Sequence, residues 1–393
     1  MIYLAILLLL LFLSFRYDIC GKERGSQGWY MIVLVIFILV AGLRWRLGVD
    51  TPNYLDQFYY ITPKLSQLTT DDLLMTKPLW ILLNSFVLTC FGKFYVVQLI
   101  HATFINVLFF KYIKKHSQYI FTCLFFYFLC MYTAVNMEEM KASISVAICL
   151  FANDYLIERK WRKAYLLYML AALFHASTYL IFLTPLLLFL RLNRVGGIVL
   201  ILSYIIGYIL QISFGEYLTL FEMADGSIAD KIESYSENEH YSSNGGNINF
   251  YIVKIFPFFF YGLYCLYAAK RKKSNKGLLR LEPFLMVGLV FLVMEMNMYI
   301  LYRFVHFYFI YFILFYSEVY VTSVQKNKRI SKGLAYARIS ILFLPFVLTS
   351  LYVYKALYTR YYPYSSVIER KIDRNREHLY SEKGRSPASL KQY

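Results

Sequence analysis

About a dozen apolar runs, parted by short basic loops, leave this chain one plausible architecture, a bundle of helices that crosses a membrane. A bilayer core accommodates roughly 20 residues of helix. On that ruler the runs are Met1–Phe15, Trp29–Leu43, Phe94–Phe110, Tyr119–Val135, Ala142–Ile157 and Ala164–Phe174. They continue with Ser177–Leu190, Val195–Phe214, Phe250–Ala269, Pro283–Leu301, Phe304–Val324 and Leu334–Tyr354. The expected fold class is therefore all-α, a polytopic integral membrane protein with about 12 transmembrane helices. Leu79–Phe91 is apolar but brief, and is expected to lie in the interface or to re-enter.

Composition excludes the main alternative. Hydrophobic residues make up 59% of the 393 and charged ones only 17%, more apolar surface than a soluble domain can cover. The net charge of +17 would suggest nucleic acid on a soluble protein. Here the basic residues sit in loops between apolar runs, the distribution of a membrane protein's cytoplasmic side, so no nucleic-acid partner is expected. The cysteines lie in or near apolar runs without metal-ligand spacing, so no metal site and no cofactor is expected. Met1–Phe15 lacks a basic leader and an A-x-A-like cleavage site, and reads as a retained first span.

Six basic clusters fix an orientation: Arg16/Lys22/Arg24, Lys111/Lys114/Lys115, Arg159/Lys160/Arg162/Lys163, Arg191/Arg194, Lys270–Lys273 with Lys276, and Lys326/Lys328/Arg329/Lys332. All fall on one side if Leu79–Phe91 does not cross and Ala164–Leu190 is a hairpin rather than one long helix. Residues 1–354 then form a single transmembrane domain with outward loops at 44–93 and 215–249, followed by a polar tail at 355–393. The second loop is acidic and rich in Ser, Asn and Gly, either a solvated connector or a lid.

On this topology one set of ionisable residues gathers outside. Arg44 and Arg46 follow the second span, and a guanidinium matches phosphate oxygens with paired hydrogen bonds. Gly48 and Pro52 mark a turn that returns Asp50 toward the membrane. The competing account is an Arg/Trp membrane anchor with Asp50 as its counter-charge. Glu138, Glu139 and Lys141 lie between the fourth and fifth spans. There Lys141 either pairs with Glu138 or neutralises an anionic head group, and a glutamate serves as base. His175 ends the sixth run, and Arg303 stands between two later spans with His306 on its face. Glu295, inside the tenth run, needs an internal partner. Cations with one or two carboxylates suit an anionic lipid-linked substrate better than a neutral solute.

Three stretches then carry a resemblance. Ala41-Gly-Leu-Arg44 with Gly48-Val-Asp50-Thr-Pro-Asn-Tyr54, Lys141-Ala-Ser-Ile-Ser running to Glu158-Arg-Lys160, and Ala171-Ala-Leu-Phe-His175-Ala-Ser177 are similar to the EpsG family of polysaccharide polymerases. That family in turn resembles Wzy-type O-antigen and capsule polymerases. Lys77-Pro78-Leu79, Arg303 and Tyr362-Pro363-Tyr364 fit more loosely. Lys141 and Ala142 stand where the family has Arg and Gln, which removes a bidentate anion contact.

The resemblance implies a metal-independent glycosyltransferase in the bacterial cytoplasmic membrane. It would pass a growing glycan from undecaprenyl diphosphate to a lipid-linked repeat unit at the outer face. Arg44, Arg46, Tyr54, Lys141 and Arg303 would bind substrate and diphosphate; Asp50, Glu138, Glu139 and His175 would be catalytic. A flippase and a chain-length regulator would be its pathway partners. Rival functions are a flippase for lipid-linked oligosaccharide, a polysaccharide acyltransferase and a non-catalytic assembly partner. A flippase would spread charge through its spans, and an acyltransferase would set an acid beside its histidine.

Overall fold

The computed structural model of the chain describes residues 2–48, 50–74, 77–222, 279–297, 301–326 and 361–370. Their secondary structure is helical, and among the described residues the β-structure is an isolated bridge between Arg44 and Ser366. In order the helices are α1 (Ile2–Leu13), α2 (Ser26–Gly42), α3 (Thr51–Asp56), α4 (Thr70–Leu74), α5 (Pro78–Cys90), α6 (Phe94–His116) and α7 (Ile120–Cys130). They continue as α8 (Met140–Ile157), α9 (Trp161–Ala172), α10 (Thr178–Ile181), α11 (Thr184–Leu187), α12 (Arg194–Glu222), α13 (Glu282–Glu295) and α14 (Tyr302–Lys326).

Among the described residues four helices are long and apolar enough to cross a membrane: Ile2–Ile19, Phe94–His116, Met140–Ile157 and Arg303–Gln325. Shorter apolar helices cover Ser26–Gly42, Pro78–Cys90, Ile120–Cys130 and Arg194–Leu210. The expected spans at Phe250–Ala269 and Leu334–Tyr354 lie outside the described residues. Most of the loop expected at 215–249 does too, although its start, through Glu222, continues α12.

The sequence expects a span at Ser177–Leu190, and in the structure its helix is interrupted. That stretch is two single-turn helices, closed by tight bonds such as Phe182 N–H to Tyr179 O and Leu186 N–H to Leu183 O. Pro185 has no N–H to give and its ring clashes with the carbonyl four residues back, which disfavours a continuous α-helix through this point. Nor is Ala164–Leu190 one long helix. The chain turns after Ala172, and Phe182 returns to pack 6.0 Å from Tyr165 and 5.8 Å from Tyr168.

The chain divides into two compact units where the sequence suggests one helical domain. The first comprises residues 1–182, 320–339 and 350–393. Its α1/α7, α2/α6 and α8/α9 pairs run antiparallel, whereas α6 and α8 run parallel, His101 meeting Ser143 and Tyr112 meeting Asp154. Along α2 and α6, Lys114 Nζ donates to Gln27 Oε1 at 2.7 Å, and Tyr30 and Phe37 pack on Phe110. At the far end, a Cβ on Gly42 would lie 2.9 Å from Leu99 Cα, so the two backbones nearly touch. Helices α1 and α7 pair through Ser14 and Thr122 (2.7 Å), and α8 and α9 through Tyr168 and Asn153 and through Ser145 Oγ to Ala171 O (2.7 Å).

This pairing sorts charge to the two ends of the first unit. At one end Lys115 and His116 meet the Asp154 carboxylate at 2.7 and 3.0 Å, beside Lys160, which pairs with Glu158. The clusters of the α1–α2, α6–α7 and α8–α9 links thus share an end. At the other end lie Tyr3, Arg44, Met137 and Lys141. Helix α5 stays there: its start packs Trp80 on Tyr54, and near its finish Thr89 Oγ1 accepts from Leu65 N–H at 2.9 Å. Thirteen helical residues span about 20 Å, short of a bilayer core.

The second unit comprises residues 183–319 and 340–349. Glu282 accepts from Leu192 N–H at 2.7 Å, and Asn297 Nδ2 donates to Tyr204 O at 3.0 Å, which fastens α13 to α12. Helix α14 packs on α13 where Gly288 admits Phe312 and Tyr308.

Candidate functional site

The first unit builds its site around a buried arginine. Arg44 is 1% exposed and turns its guanidinium inward. It donates to Ala41 O (2.5 Å), Leu47 O (3.4 Å) and Met137 O (3.3 Å), with Met140 Sδ at 3.3 Å. Burial lowers its pKa to about 10, opposed by the surrounding Tyr132, Tyr3, Tyr361 and Tyr364, so it stays protonated at neutral pH. The guanidinium thus satisfies the carbonyls left open where α2 ends and ties that end to the bend before α8. It has little left to offer a diphosphate.

Residues 361–370, expected in a polar tail, lie along the end of α2 and the loop after it. Trp45 N–H donates to Ser365 O and Val367 N–H to Leu43 O, each at 2.8 Å, which makes the Arg44–Ser366 bridge. Tyr364 OH donates to Val40 O at 3.1 Å and its ring meets Tyr3 edge-on. Tyr361 and Ser365 are buried.

Lys141 opens α8 and is nearly buried. Its Nζ donates to Gln57 Oε1 at 2.6 Å and lies 5.2 Å from the Tyr54 ring and 5.6 Å from Trp80. Two aromatic faces and an amide oxygen favour the charged ammonium. Glu139 is the N-cap of α8, its carbonyl taking Ser143 N–H at 2.8 Å, and Glu138 ends the π-turn before it. Asp50 is half-buried and caps α3 through its carbonyl, which accepts from Tyr54 N–H at 3.0 Å. The three carboxylates therefore flank the helix starts that carry Tyr54 and Lys141.

His175 sits in the turn after α9. Its Nδ1 faces Ser177 Oγ at 2.6 Å and accepts from Ser177 N–H at 3.2 Å. A backbone amide can only donate, so Nδ1 is unprotonated and the neutral ring carries its proton on Nε2. The turn is pinned at the Lys141 end, since Leu79 N–H donates to Leu173 O (3.2 Å) and Ser145 Oγ to Ala171 O (2.7 Å).

The first unit therefore brings Arg44, Arg46, Asp50, Tyr54, Glu138, Glu139, Lys141 and His175 to one end. Arg303 and His306 are half-buried in the first turn of α14, which belongs to the second unit. Sequence reasoning missed Gln57 and Trp80, the partners of Lys141. Spacing hinted at Gln57, which lies one turn from Tyr54. It also missed His101, fully buried with Nε2 2.9 Å from Ser143 Oγ, although a histidine inside an apolar run is a signal in itself. Among the described residues no group of His, Cys, Asp and Glu could hold a metal.

The family model of the EpsG family matches residues 28–366, and the chain belongs to that family. No curated protein and no solved structure matches it. Membership points to a polysaccharide polymerase that acts at a membrane on lipid-linked oligosaccharide.

Proposed function

We propose that this member of the EpsG family is a glycosyltransferase of the bacterial cytoplasmic membrane. It passes a growing glycan from undecaprenyl diphosphate onto a lipid-linked repeat unit at the outer face. The observation that carries the reading is the gathering of Arg46, Lys141, three carboxylates and His175 at the end of the first unit opposite the Lys115–Asp154 end. Basic loops mark the cytoplasmic side, so the site faces out, where export leaves the repeat units. About 12 spans complete the fold on this reading.

The chemistry follows from the residue types. An acceptor hydroxyl attacks the anomeric carbon of the donor sugar, a C–O bond forms, and the bond to the diphosphate oxygen breaks with its electron pair. One of Asp50, Glu138 and Glu139 takes the hydroxyl proton, and Lys141 and Arg46 compensate the charge on the leaving diphosphate. His175 donates from Nε2 to orient substrate. Arg44 is a positioning residue, because its donors serve Ala41, Leu47 and Met137.

The test is genetic. In a deletion host, the gene is restored with Lys141→Ala or Asp50→Asn and surface glycan is separated on a gel. Polymerisation predicts single lipid-linked repeats without long chains. Loss of all surface repeats would identify an exporter, full-length chains lacking a substituent an acyltransferase, and unchanged polymer from both variants would refute the site.

A further inference from the structure

His101 projects from the second turn of α6 and is fully buried. Its Nε2 lies 2.9 Å from Ser143 Oγ, and that hydroxyl donates in turn to Met140 O at 3.1 Å. The hydroxyl has one proton to give, so it accepts from His101, and the neutral ring carries its proton on Nε2. Nδ1 is then a buried acceptor, and among the described residues it has no hydrogen-bond partner.

Such a pair is a poor way to hold two helices together. A neutral hydrogen bond adds little net stability, and an unsatisfied buried nitrogen takes at least as much away. A leucine would fill the space without that loss. What the pair adds is direction, since a hydrogen bond has a preferred line whereas apolar packing tolerates rotation.

Direction matters at this point of α8. The helix begins without a side-chain N-cap bond, and Lys141 stands in its first turn. Lys141 and Ser143 are two positions apart, about 200° around the helix, so they point to nearly opposite sides. The bond from His101 holds Ser143 toward α6. Lys141 is thereby turned to Gln57 Oε1, at 2.6 Å, and to the rings of Tyr54 and Trp80. Ser145 Oγ fastens α8 to Ala171 O at 2.7 Å, but a full turn after Lys141.

We propose that His101 is a positioning residue. Through Ser143 it fixes the rotation of the first turn of α8, and so holds the Lys141 ammonium against its two aromatic faces. The consequence for glycan transfer rests on the polymerase reading, whereas the effect on Lys141 does not.

The purified full chain in phosphatidylcholine nanodiscs is treated with acetic anhydride. Acetylation of Lys141 is followed by mass spectrometry against Lys93, which is exposed. In wild type, Lys141 is expected to react about tenfold or more slowly than Lys93, being reached only when the site opens. In His101→Leu its rate should rise about tenfold with no fall in melting temperature. His101→Gln keeps a donor at the Nε2 position, so Lys141 should stay slow. Ser143→Ala should match His101→Leu, and the double variant should react no faster than either single one, because the same bond is lost in all three. Ser143→Ala also carries the test if His101→Leu fails to accumulate. Polymer on the glycan gel should fall about tenfold in His101→Leu at unchanged protein abundance. A slow Lys141 in both single variants would overturn the proposal, as would acetylation that rises equally in His101→Leu and His101→Gln. If Lys141 reacts faster while the gel identifies an exporter, the positioning role stands and only the polymerase reading falls.

Discussion

Gly48 runs so close to Met137 that a Cβ on the glycine would lie 2.4 Å from the Met137 carbonyl oxygen. The same carbonyl accepts from Arg44 Nη2, so loop and bend are locked by one atom. Gly48 also has φ +99°, which an L side chain rarely adopts. Gly48→Ala should therefore cost about 2–4 kcal/mol, from backbone strain and overpacking together. Thermal unfolding of the purified protein checks it, with Gly28→Ala as control, since nothing lies within 4 Å of a Cβ there. Equal melting of both variants would show that the contact relaxes freely.

Arg44 is expected to govern folding more than chemistry. Arg44→Ala leaves the carbonyls of Ala41, Leu47 and Met137 without their donor and opens a buried cavity, a loss of about 3–5 kcal/mol. Arg44→Lys keeps the charge but reaches fewer of the three. Both should lower the amount of folded protein in the membrane, while activity per folded molecule in Arg44→Lys falls little. A fully folded but inactive Arg44→Lys would instead place the guanidinium on substrate.

Gln57 holds Lys141 at 2.6 Å with a neutral oxygen. Gln57→Glu puts a carboxylate at the same place and cancels the ammonium charge. Polymer formation should fall by about tenfold or more at unchanged protein abundance, the size of one charge-assisted contact. Gln57→Ala should be milder. Blotting against the glycan gel separates the two effects, and full polymer from Gln57→Glu would remove Lys141 from the anion site.

The Nδ1 of His175 is engaged by Ser177, which places the ring proton on Nε2. An Asn side chain reproduces the Nδ1 position and a Gln side chain the Nε2 position. His175→Gln should then retain more polymer than His175→Asn, and Ser177→Ala should lose about tenfold by freeing the ring. The opposite ranking would make His175 a structural cap of its own turn.

Orientation has a direct chemical test. Cys20 and Cys90 are exposed thiols, one near the basic α1–α2 link and the other at the end of α5. With the remaining cysteines replaced by serine, a membrane-impermeant maleimide should label Cys90 in intact cells and Cys20 only after lysis. Labelling of Cys20 from outside would invert the topology.

The sequence by itself determined the solvent and the sorting of charge. Apolar runs of bilayer length can be satisfied only as helices, because each backbone group must find its partner within the run where no water reaches. Basic loops choose their side by charge alone, so the shared end of Lys115 and Lys160 was legible before any contact was known. So were Asp50, Lys141 and His175 as residues of one end.

Tertiary structure decided what each cation does. Arg44 and Arg46 are two positions apart and indistinguishable in sequence, yet one points into carbonyls and the other lies against an indole. That split depends on Met137 and Gly48 meeting across the bundle. The place of Arg370 depends on a bridge between segments at opposite ends of the chain. No local period encodes either contact, because both are fixed by which helices pack and how closely, a property of the whole bundle.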